Sequence, residues 1–486
     1  MSSCRHHRAR CARSLTWLLP VALPLGSLLG GCGAVDSSAD SSEVVALVII
    51  DTLRRDSLGC YGSETAATPV IDGLAAEGAR FEQAISASGW TLPSVASIFT
   101  GTWPAMHKAL GKRSRLTPIS NDLPVAAEVF ADEGYLTLGF ANAAFLSPLL
   151  GLDRGFEIFD HKHAYNWDIR RADATVDTAL AKLDEHTGKK AFLLVHLFDA
   201  HLDYDPPDGF ISPFVGTRNT PDVPVSMKEC IDLQREEGSL PPTSGDIDYL
   251  RGLYDGEIAF IDRAMGRLVD GLKELGRWDQ TTLVITSDHG EEFWDHGGFE
   301  HGHTLYDELV RVPLIIRVPD GAKLTTHVVE RQVRTIDIMP TLFDLAGITQ
   351  GPTFIGQSLA GDLRGQSPLR VPPAFSQGTL YGAEKMSWRN GGYNLIVDQA
   401  VEGEPGIELY DLTVDPLQQH DISKEQPERT QKLSRQLATF SRKLGEQAKH
   451  ISTPELRDMG PSTIQKYLES IEKLGYSGRD SETKPE

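Results

Sequence analysis

The chain has 486 residues, of which 40% are hydrophobic and 24% are charged, and this ordinary globular composition excludes wholesale disorder. The formal net charge of −21 argues against nucleic-acid binding, because a phosphate backbone would be repelled. An anionic substrate is not excluded, since a metal ion in a cleft can reverse the local field. Nothing in the composition implies a protein partner.

The first 31 residues read as a targeting segment. Residues 1–14 contain four arginines and no acidic residue, and an apolar run from Leu15 to Leu29 follows. This run is too short, and too interrupted by glycine and proline, for a comfortable membrane span. Its end, Leu-Gly-Gly before Cys32, resembles a bacterial lipobox, which implies cleavage before Cys32 and acylation of that cysteine. The alternative is a plain secretory signal that happens to contain a cysteine.

We therefore expect an exported bacterial lipoprotein, held at the periplasmic face of a membrane or at the cell surface. Residues 32–43 are small and polar, as a flexible tether should be. Because the chain contains no CxxC pair, neither a zinc knuckle nor a disulfide framework is predicted. Cys60 and Cys230 could pair in an oxidising compartment, or could both be buried free thiols.

The rest of the chain alternates between strand and helix patterns. Val44–Ile50 is a continuous apolar run, typical of a strand buried on both faces of a parallel sheet. Amphipathic segments of helical period separate such runs, and the clearest include 72–81 and 247–275. We therefore predict an α/β fold with a mostly parallel sheet and helices on both faces. The other buried strands are predicted at 136–141, 191–197, 282–286 and 312–318.

The alternation weakens past about residue 350, so a catalytic α/β domain is predicted at 44–350. Short strands near 374–377 and 393–397 predict a small C-terminal α+β subdomain at 351–420. Helical periodicity predicts a helical tail at 421–486. Within the catalytic domain, residues 205–245 are rich in proline, glycine and serine and are interpreted as an inserted loop region.

Side chains able to perform catalysis or bind metal follow several predicted strands. Asp51 ends the first strand, where α/β proteins bind ligands, although a strand-end aspartate is more often a helix cap. Thr91, in SGWTLPSVASIF, would lie where a loop enters a helix, beside N–H groups that suit an oxyanion, or it could be only a cap. Asp288 and His289 follow the strand at 282–286, and carboxylate plus imidazole suits Zn²⁺, Mn²⁺ or a similar ion.

Two further groups with histidines also lie beyond strands. The segment VHLFDAHLDYDPP places Asp199 and His201 after a strand, and GGFEHGHTLYDE carries His301 and His303 on a loop. An isolated loop histidine is usually only solvated. Four such groups, all just beyond strands, are hard to explain as coincidence.

Long segments of the chain resemble the sulfatase family of the alkaline phosphatase superfamily. In chain order they include IIDTLRRDSLGCYG, LPSVASIFTG, YDGEIAFIDRAMGRLVDGLKELGRWDQTTLVITSDHGEEF, LYDELVRVPLIIR and TIDIMPTLFDLAGI. The resemblance covers roughly residues 44–415. It implies an alkaline-phosphatase-like fold and a metal-dependent hydrolase of sulfuric or phosphoric esters.

The resemblance also implies roles for individual residues. Asp51, Asp288 and His289 would hold a divalent metal (Zn, Mn, Ca or Mg), with Thr91 as both nucleophile and ligand. His201 would contact the leaving group or a substrate oxygen, as a general acid or hydrogen-bond donor. The residue that contacts the transferred group or a second metal would be His301, with His303 as its rival. Further candidates for a second metal or for substrate are Asp199, His303 and Asn142.

Departures from the family pattern bear on the substrate. Sulfatases place a cysteine or serine, oxidised to formylglycine, at the position of Thr91, and an arginine where this chain has Val95. Formylglycine is therefore not expected here. The stretch GFANAAFL around Asn142 offers no cation where sulfatases often bind sulfate.

A threonine nucleophile favours a phosphoester over a sulfate ester as the substrate. Water can attack a phosphothreonine intermediate in line, whereas a sulfate ester of threonine would be a poor intermediate to resolve. A conventional sulfatase with an atypical nucleophile is one alternative. The others are an envelope phospho-group transferase of the phosphoethanolamine or phosphoglycerol type, and a non-catalytic binding module.

Overall fold

Residues 43–471 carry the described structure of this computed structural model, apart from several gaps. The predicted signal peptide at 1–31, the predicted lipidation site Cys32 and the thiol of Cys230 lie outside the described residues. The gaps are residues 113–115, 162–169, 211–242, 323, 350, 353, 367, 369 and 400–404.

The strands of the described residues fall into three sheets. They are β1 (Val44–Ile50), β2 (Ala79–Ile85), β3 (Leu136–Phe140), β4 (Ile158–Asp160), β5 (Ala191–Leu197), β6 (Thr281–Thr286), β7 (Glu292–Phe293), β8 (Phe299–Glu300), β9 (Arg311–Val312), β10 (Leu314–Arg317), β11 (Val328–Arg334), β12 (Ala374–Gln377), β13 (Glu384–Asn390), β14 (Tyr393–Gln399) and β15 (Gly406–Asp411).

The α-helices of the described residues vary from a single turn to more than eight turns. They are α1 (Pro69–Glu77), α2 (Thr91–Thr100), α3 (Pro104–His107), α4 (Ala126–Asp132), α5 (Ala172–Asp184), α6 (Ser244–Glu274), α7 (Asp307–Val310), α8 (Ile338–Leu345), α9 (Ala360–Leu363), α10 (Pro427–Ala448) and α11 (Pro461–Ile471). None of the described helices is both long and apolar enough to cross a membrane.

The largest sheet has nine strands, and β1 lies at its centre. Eight strands follow the order β11-β2-β10-β6-β1-β5-β3-β4, and β9 pairs with β2. Strand β1 is parallel to both β5 and β6, whereas β9 and β10 run antiparallel to their neighbours. The carboxyl ends of β5, β1 and β6 therefore open at one edge of the sheet, where α/β proteins bind ligands.

Helices cover this sheet on both faces, as the sequence predicts. Helix α5 packs against α6, and α6 packs against α1, while α2 packs against α4 and α8. All seven side chains of β1 are buried, which explains why its sequence is continuously apolar rather than alternating. The mostly parallel α/β architecture predicted from the sequence is confirmed.

Two predicted elements differ from the structure. The helix predicted at 72–81 ends at Glu77, and Ala79–Ile85 form strand β2, because Gly78 ends the helix and a partly alternating run follows. The strand predicted at 312–318 is split into β9 and β10 by Pro313, which has no N–H for a ladder hydrogen bond.

A small antiparallel sheet of β12, β13, β14 and β15 forms the C-terminal subdomain. Helix α10 packs against β13 and β14 of this sheet and also against α3. Strand β12 contacts β2 and β11, so the small sheet lies beside the large one. The antiparallel C-terminal subdomain is confirmed as an element of the fold, while its boundaries at 351–420 stay a prediction.

Candidate active site

The first strand delivers Asp51 to the carboxyl edge of the large sheet. Asp51 is fully buried, and its backbone N–H donates to the carbonyl of Leu197 at 2.9 Å. The next residue, Thr52, has a φ of 56°, which is unusual for a β-branched residue. The Thr52 hydroxyl donates to the carbonyl of Ala200 at 2.8 Å, and the Thr52 carbonyl accepts from Tyr254 at 2.8 Å. These contacts hold the sharp turn that follows Asp51.

Asp288 and His289 follow β6, the other neighbour of β1, and are also fully buried. The Nδ1 of His289 donates to the carbonyl of Gly290 at 2.9 Å, so Nε2 carries the lone pair. That Nε2 lies 3.4 Å from Asp288 Oδ2 and 3.7 Å from Asp51 Oδ1. One ligand atom from each of the three residues lies within 4.8 Å of the others.

The chemistry of this cluster fits a divalent cation. Asp51 Oδ1 and Asp288 Oδ2 are buried without a hydrogen-bond partner, and Asp51 Oδ2 lies 3.2 Å from His196 Nε2. Burial and the charge of Asp51 raise the pKa of Asp288 to about 6. Burial alone would raise the pKa of Asp51, but neighbouring histidines lower it below its usual value. A cation would compensate both carboxylates, and oxygen plus imidazole ligands suit Zn²⁺ or Mn²⁺.

Thr91 lies against this cluster at the start of α2. Trp90 is the N-cap and Thr91 the first helical residue, so its hydroxyl lies beside unpaired helix N–H groups. Thr91 is only 1% exposed, and its Oγ1 is 3.2 Å from His289 Nε2. The structure therefore brings together the four residues that the sequence names as metal ligands and nucleophile.

His201 and His301 approach the same cluster from two different loops. Both are buried, and their ring centroids are 5.0 Å apart. The ring of His301 is 4.4 Å from that of His289, and the ring of His201 stacks on Phe198 at 4.3 Å. The Nδ1 of His201 contacts the carbonyl of Leu202 at 2.7 Å. Burial lowers the pKa of both His201 and His301.

The remaining candidates have other contacts. Asp199 accepts from the N–H of Ala172 and lies 3.6 Å from Arg171, and burial raises its pKa to about 6. His303, in the loop after β8, contacts Glu292 of β7 through Nε2 at 2.7 Å. Within the part of the chain that the structure describes, the side chains that could hold a metal together are those of Asp51, Asp288 and His289. Asp199 and His303 do not belong to this group.

Asn142 ties the end of β3 to neighbouring elements. Its Nδ2 donates to the carbonyl of His196 at 2.6 Å and to the hydroxyl of Thr175 at 3.0 Å. Both of these contacts hold protein groups in place, and Oδ1 is buried without a partner. Through these contacts Asn142 holds the end of β3 to β5 and to Thr175.

Sequence reasoning missed His196, which lies inside β5. Its Nε2 is 3.2 Å from Asp51 Oδ2, and the residue is fully buried. His196 pairs in register with Ile49, two residues before Asp51, so both polar side chains point to the same face. The signal was a single histidine in the otherwise apolar strand AFLLVHL. Glu291, which contacts His301, was missed as well.

Comparisons with known proteins identify similar sequences and structures along most of the described chain. A family profile described as Sulfatase matches residues 43–348, and one described as N-sulphoglucosamine sulphohydrolase, C-terminal, matches residues 294–445. The chain is similar to an uncharacterized sulfatase of Escherichia coli (strain K12), with 26% identity over 432 residues, 77% of this chain and 82% of the relative.

Two further relatives are named for different reactions. An arylsulfatase of Clostridium perfringens is 26% identical over 380 residues, which are 65% of this chain and 77% of the relative. The solved structure of a phosphonate monoester hydrolase from Silicibacter pomeroyi aligns with a TM-score of 0.68 at 23% identity, covering 86% of this chain and 100% of that one. The structural likeness confirms the predicted alkaline-phosphatase-like fold.

Proposed function

The chain belongs to the sulfatase family and is an ester-hydrolysing enzyme, and we propose that it cleaves phosphoesters with Thr91 as the nucleophile. The observation that carries this proposal is the position of the Thr91 hydroxyl. It is buried at the N-terminus of α2, and its oxygen lies 3.2 Å from His289 Nε2. A threonine that only capped the helix would not require buried carboxylates and an imidazole beside it.

Asp51, Asp288 and His289 are the residues that would hold the metal, with Thr91 beside them. A divalent ion bound there supplies positive charge, which lowers the pKa of a hydroxyl and stabilises charge that develops on the transferred group. The buried oxygens of Asp51 and Asp288 without partners support this assignment. The identity of the divalent ion is to be measured.

The residues around the cluster then define two steps. The Thr91 Oγ1 attacks phosphorus, its bond to phosphorus forms, and the bond to the leaving alcohol oxygen breaks. His201 donates from Nδ1 to the Leu202 carbonyl, so Nε2 is the nitrogen that takes up the Thr91 proton and passes it to the departing oxygen. Water then attacks phosphorus, the bond between phosphorus and Thr91 Oγ1 breaks, and the proton from the water returns through His201 Nε2 to Oγ1. The N–H groups of Thr91 and Leu92, at the start of α2, would stabilise the charge that develops on the transferred group.

The charges near Thr91 favour a monoanionic phosphoryl group, as in a phosphodiester or a phosphonate monoester. Among the described residues, the ion-pair partners of Asp51 and Asp288 are histidines, and neither carboxylate is paired with lysine or arginine. Val95, where the family pattern has arginine, is fully buried and apolar. A dianionic phosphate monoester would therefore meet little positive charge beyond that of the metal.

The test compares Thr91→Val, which removes the hydroxyl at nearly constant shape, with Thr91→Ser, which keeps a hydroxyl. With the metal-loaded enzyme and bis(4-nitrophenyl) phosphate, Thr91→Val should lower kcat on the order of 10³-fold or more, while Thr91→Ser keeps much of the activity. Equal activity of Thr91→Val and the wild type would overturn the nucleophile assignment.

A sulfate ester is the second candidate, because two relatives that are 26% identical to this chain are named as sulfatases. Rates on 4-nitrophenyl sulfate, 4-nitrophenyl phosphate and the phosphodiester decide between the candidates. A higher kcat/KM for the sulfate would refute the phosphoester preference. If product formed only in the presence of an acceptor alcohol, the enzyme would be a transferase and not a hydrolase.

The lipid anchor at Cys32 is a separate part of the proposal. It rests on the sequence around Cys32, and it would hold the enzyme at the periplasmic face of a membrane or at the cell surface. Cells that produce the full chain should incorporate labelled palmitate into it, and Cys32→Ser should remove the label. Incorporation that survives Cys32→Ser would contradict this site of attachment.

A further inference from the structure

Glu291 is a buried carboxylate at which three loops of the site meet. Its Oε1 lies 2.8 Å from His301 Nδ1, within hydrogen-bond distance, and its Oε2 accepts from the Tyr204 hydroxyl at 2.9 Å. Its backbone carbonyl accepts from Arg54 Nη1 at 2.9 Å. Arg54 follows β1, Tyr204 follows β5, and His301 follows β8. A single fully buried residue therefore connects the segments that carry Asp51, His201 and His301.

The contact with Glu291 bears on the tautomer of His301. A carboxylate that accepts from Nδ1 favours the tautomer with its proton on Nδ1. Chemistry at His301 then has to run through Nε2. The ring is 4.4 Å from His289 and 5.0 Å from His201, so rotation of this imidazole would change the surroundings of the reacting ester. The acceptor that fixes its orientation thus affects the reaction without touching the substrate.

The contact with Tyr204 extends the same restraint to the His201 loop. Tyr204 lies three residues after His201, and its ring packs against Tyr254 at 5.5 Å and Phe293 at 5.9 Å. Its hydroxyl contact with Glu291 joins this loop to the segment that follows Asp288 and His289. The same carboxylate therefore contacts His301 directly and the His201 loop through Tyr204.

The neighbouring residue Glu292 provides an internal comparison. It is also buried, but its carboxylate contacts His303 and the backbone N–H groups of His296 and Gly298. These contacts stay within the hairpin of β7 and β8 and the loop after it. A loss of charge or of a hydrogen bond at Glu292 thus leaves the contact to His301 in place.

We infer that Glu291 is a positioning residue for the reaction proposed above, orienting His301 through Nδ1 and tying the His201 loop to the same carboxylate. The inference rests on the proposed function for its kinetic consequence. Its structural content, the tautomer of His301, does not depend on which ester is cleaved.

The kinetic test compares Glu291→Leu, Glu291→Gln and the control Glu292→Gln in the metal-loaded enzyme. Glu291→Leu removes the acceptor and should lower kcat ~10–100-fold, the usual effect of losing such an orienting partner, with KM and the amount of bound zinc nearly unchanged. Glu291→Gln should recover most of the loss, because its amide oxygen can still accept from Nδ1. Glu292→Gln should retain wild-type kcat.

Two results would overturn the inference: Glu291→Leu with wild-type kcat, or Glu292→Gln with a loss as large as that of Glu291→Leu. A second measurement covers the case in which Glu291→Leu does not fold. In wild-type protein labelled with ¹⁵N-histidine, His301, assigned by its absence in His301→Gln, should show the neutral tautomer with the proton on Nδ1. A proton on Nε2 would refute the inference. This spectrum needs no substrate, so it remains decisive even if Thr91 is not the nucleophile.

Discussion

Gly290 follows His289 directly, and its backbone is pressed against α7. In Gly290→Ala, the added Cβ would lie 1.9 Å from the carbonyl oxygen of Glu308 and 3.1 Å from its carbonyl carbon. The glycine backbone is held on both sides, because its N–H donates to the Leu309 carbonyl at 2.8 Å and its carbonyl accepts from His289 Nδ1 at 2.9 Å. Relief of the clash therefore has to move His289, α7 or both.

The expected magnitude follows from this geometry. Overpacking in a closed environment costs about 1–3 kcal/mol, and occasionally more, and a contact this short belongs at the upper end of that range. The carbonyl of Gly290 also orients the imidazole of His289, and loss of such a partner typically weakens metal binding ~10–100-fold. Urea unfolding of the metal-free protein and competition with a fluorescent zinc chelator measure the two effects separately.

Gly445→Ala serves as the matched control, because no atom lies within 4 Å of the added Cβ in α10. Alanine in that helix should leave zinc affinity unchanged and should raise the free energy of unfolding by about 0.4–1 kcal/mol. If Gly290→Ala retained both the zinc affinity and the stability of the wild type, the close approach of Gly290 to Glu308 would not restrain the metal ligand, and the reasoning would be refuted.

Three further predictions concern the metal, its support and the core. Removal of metal with a chelator should abolish ester hydrolysis and lower the melting temperature, and zinc or manganese should restore both, because metal bound only to the folded state at 1,000 times its Kd adds ~4.1 kcal/mol. His196→Ala should weaken zinc binding ~10–100-fold, by removing the neighbour 3.2 Å from Asp51, and unchanged affinity in a calorimetric titration would contradict that role. Burial lowers the pKa of His107 to about 3 in the folded state, so stability should fall as the pH drops below the unfolded value of 6.5, by ~1.4 kcal/mol per pH unit per proton. In urea unfolding at pH 7 and pH 5, His107→Gln should lose less stability than the wild type between the two values, and an equal loss would count against the prediction.

Much of the fold could be predicted because each strand and helix carries its own pattern. The continuous apolar runs of β1 and β5 mark strands that are buried on both faces, and the long amphipathic segment of α6 marks a covering helix. Strand β2 was harder to predict, since its sequence ARFEQAI continues the composition of the helix before it. Its strand conformation depends on pairing with β10 and β11, which are distant in sequence.

The residues of the candidate site likewise include some that the sequence indicates and others that it does not. Asp51, Thr91 and the pair Asp288–His289 could be singled out because each lies at the end or beginning of an element, and the resemblance to the sulfatase family implied their roles. His196 could not be predicted as a site residue, because a histidine within a strand indicates a site only when its neighbour in the sheet is known. Its approach to Asp51 at 3.2 Å follows from the parallel register of β1 and β5.

The sequence by itself determined the α/β class and the candidate side chains of the site, including a threonine where the family pattern has cysteine or serine, since these are local properties of short segments. Only the tertiary structure decided which of those side chains meet. It placed Thr91 beside His289 and Glu291 beside His301, whereas His303 contacts Glu292 in the neighbouring hairpin. The physical reason is that a contact depends on the order of strands in the sheet and on loop paths, and both are set by the packing of the whole chain.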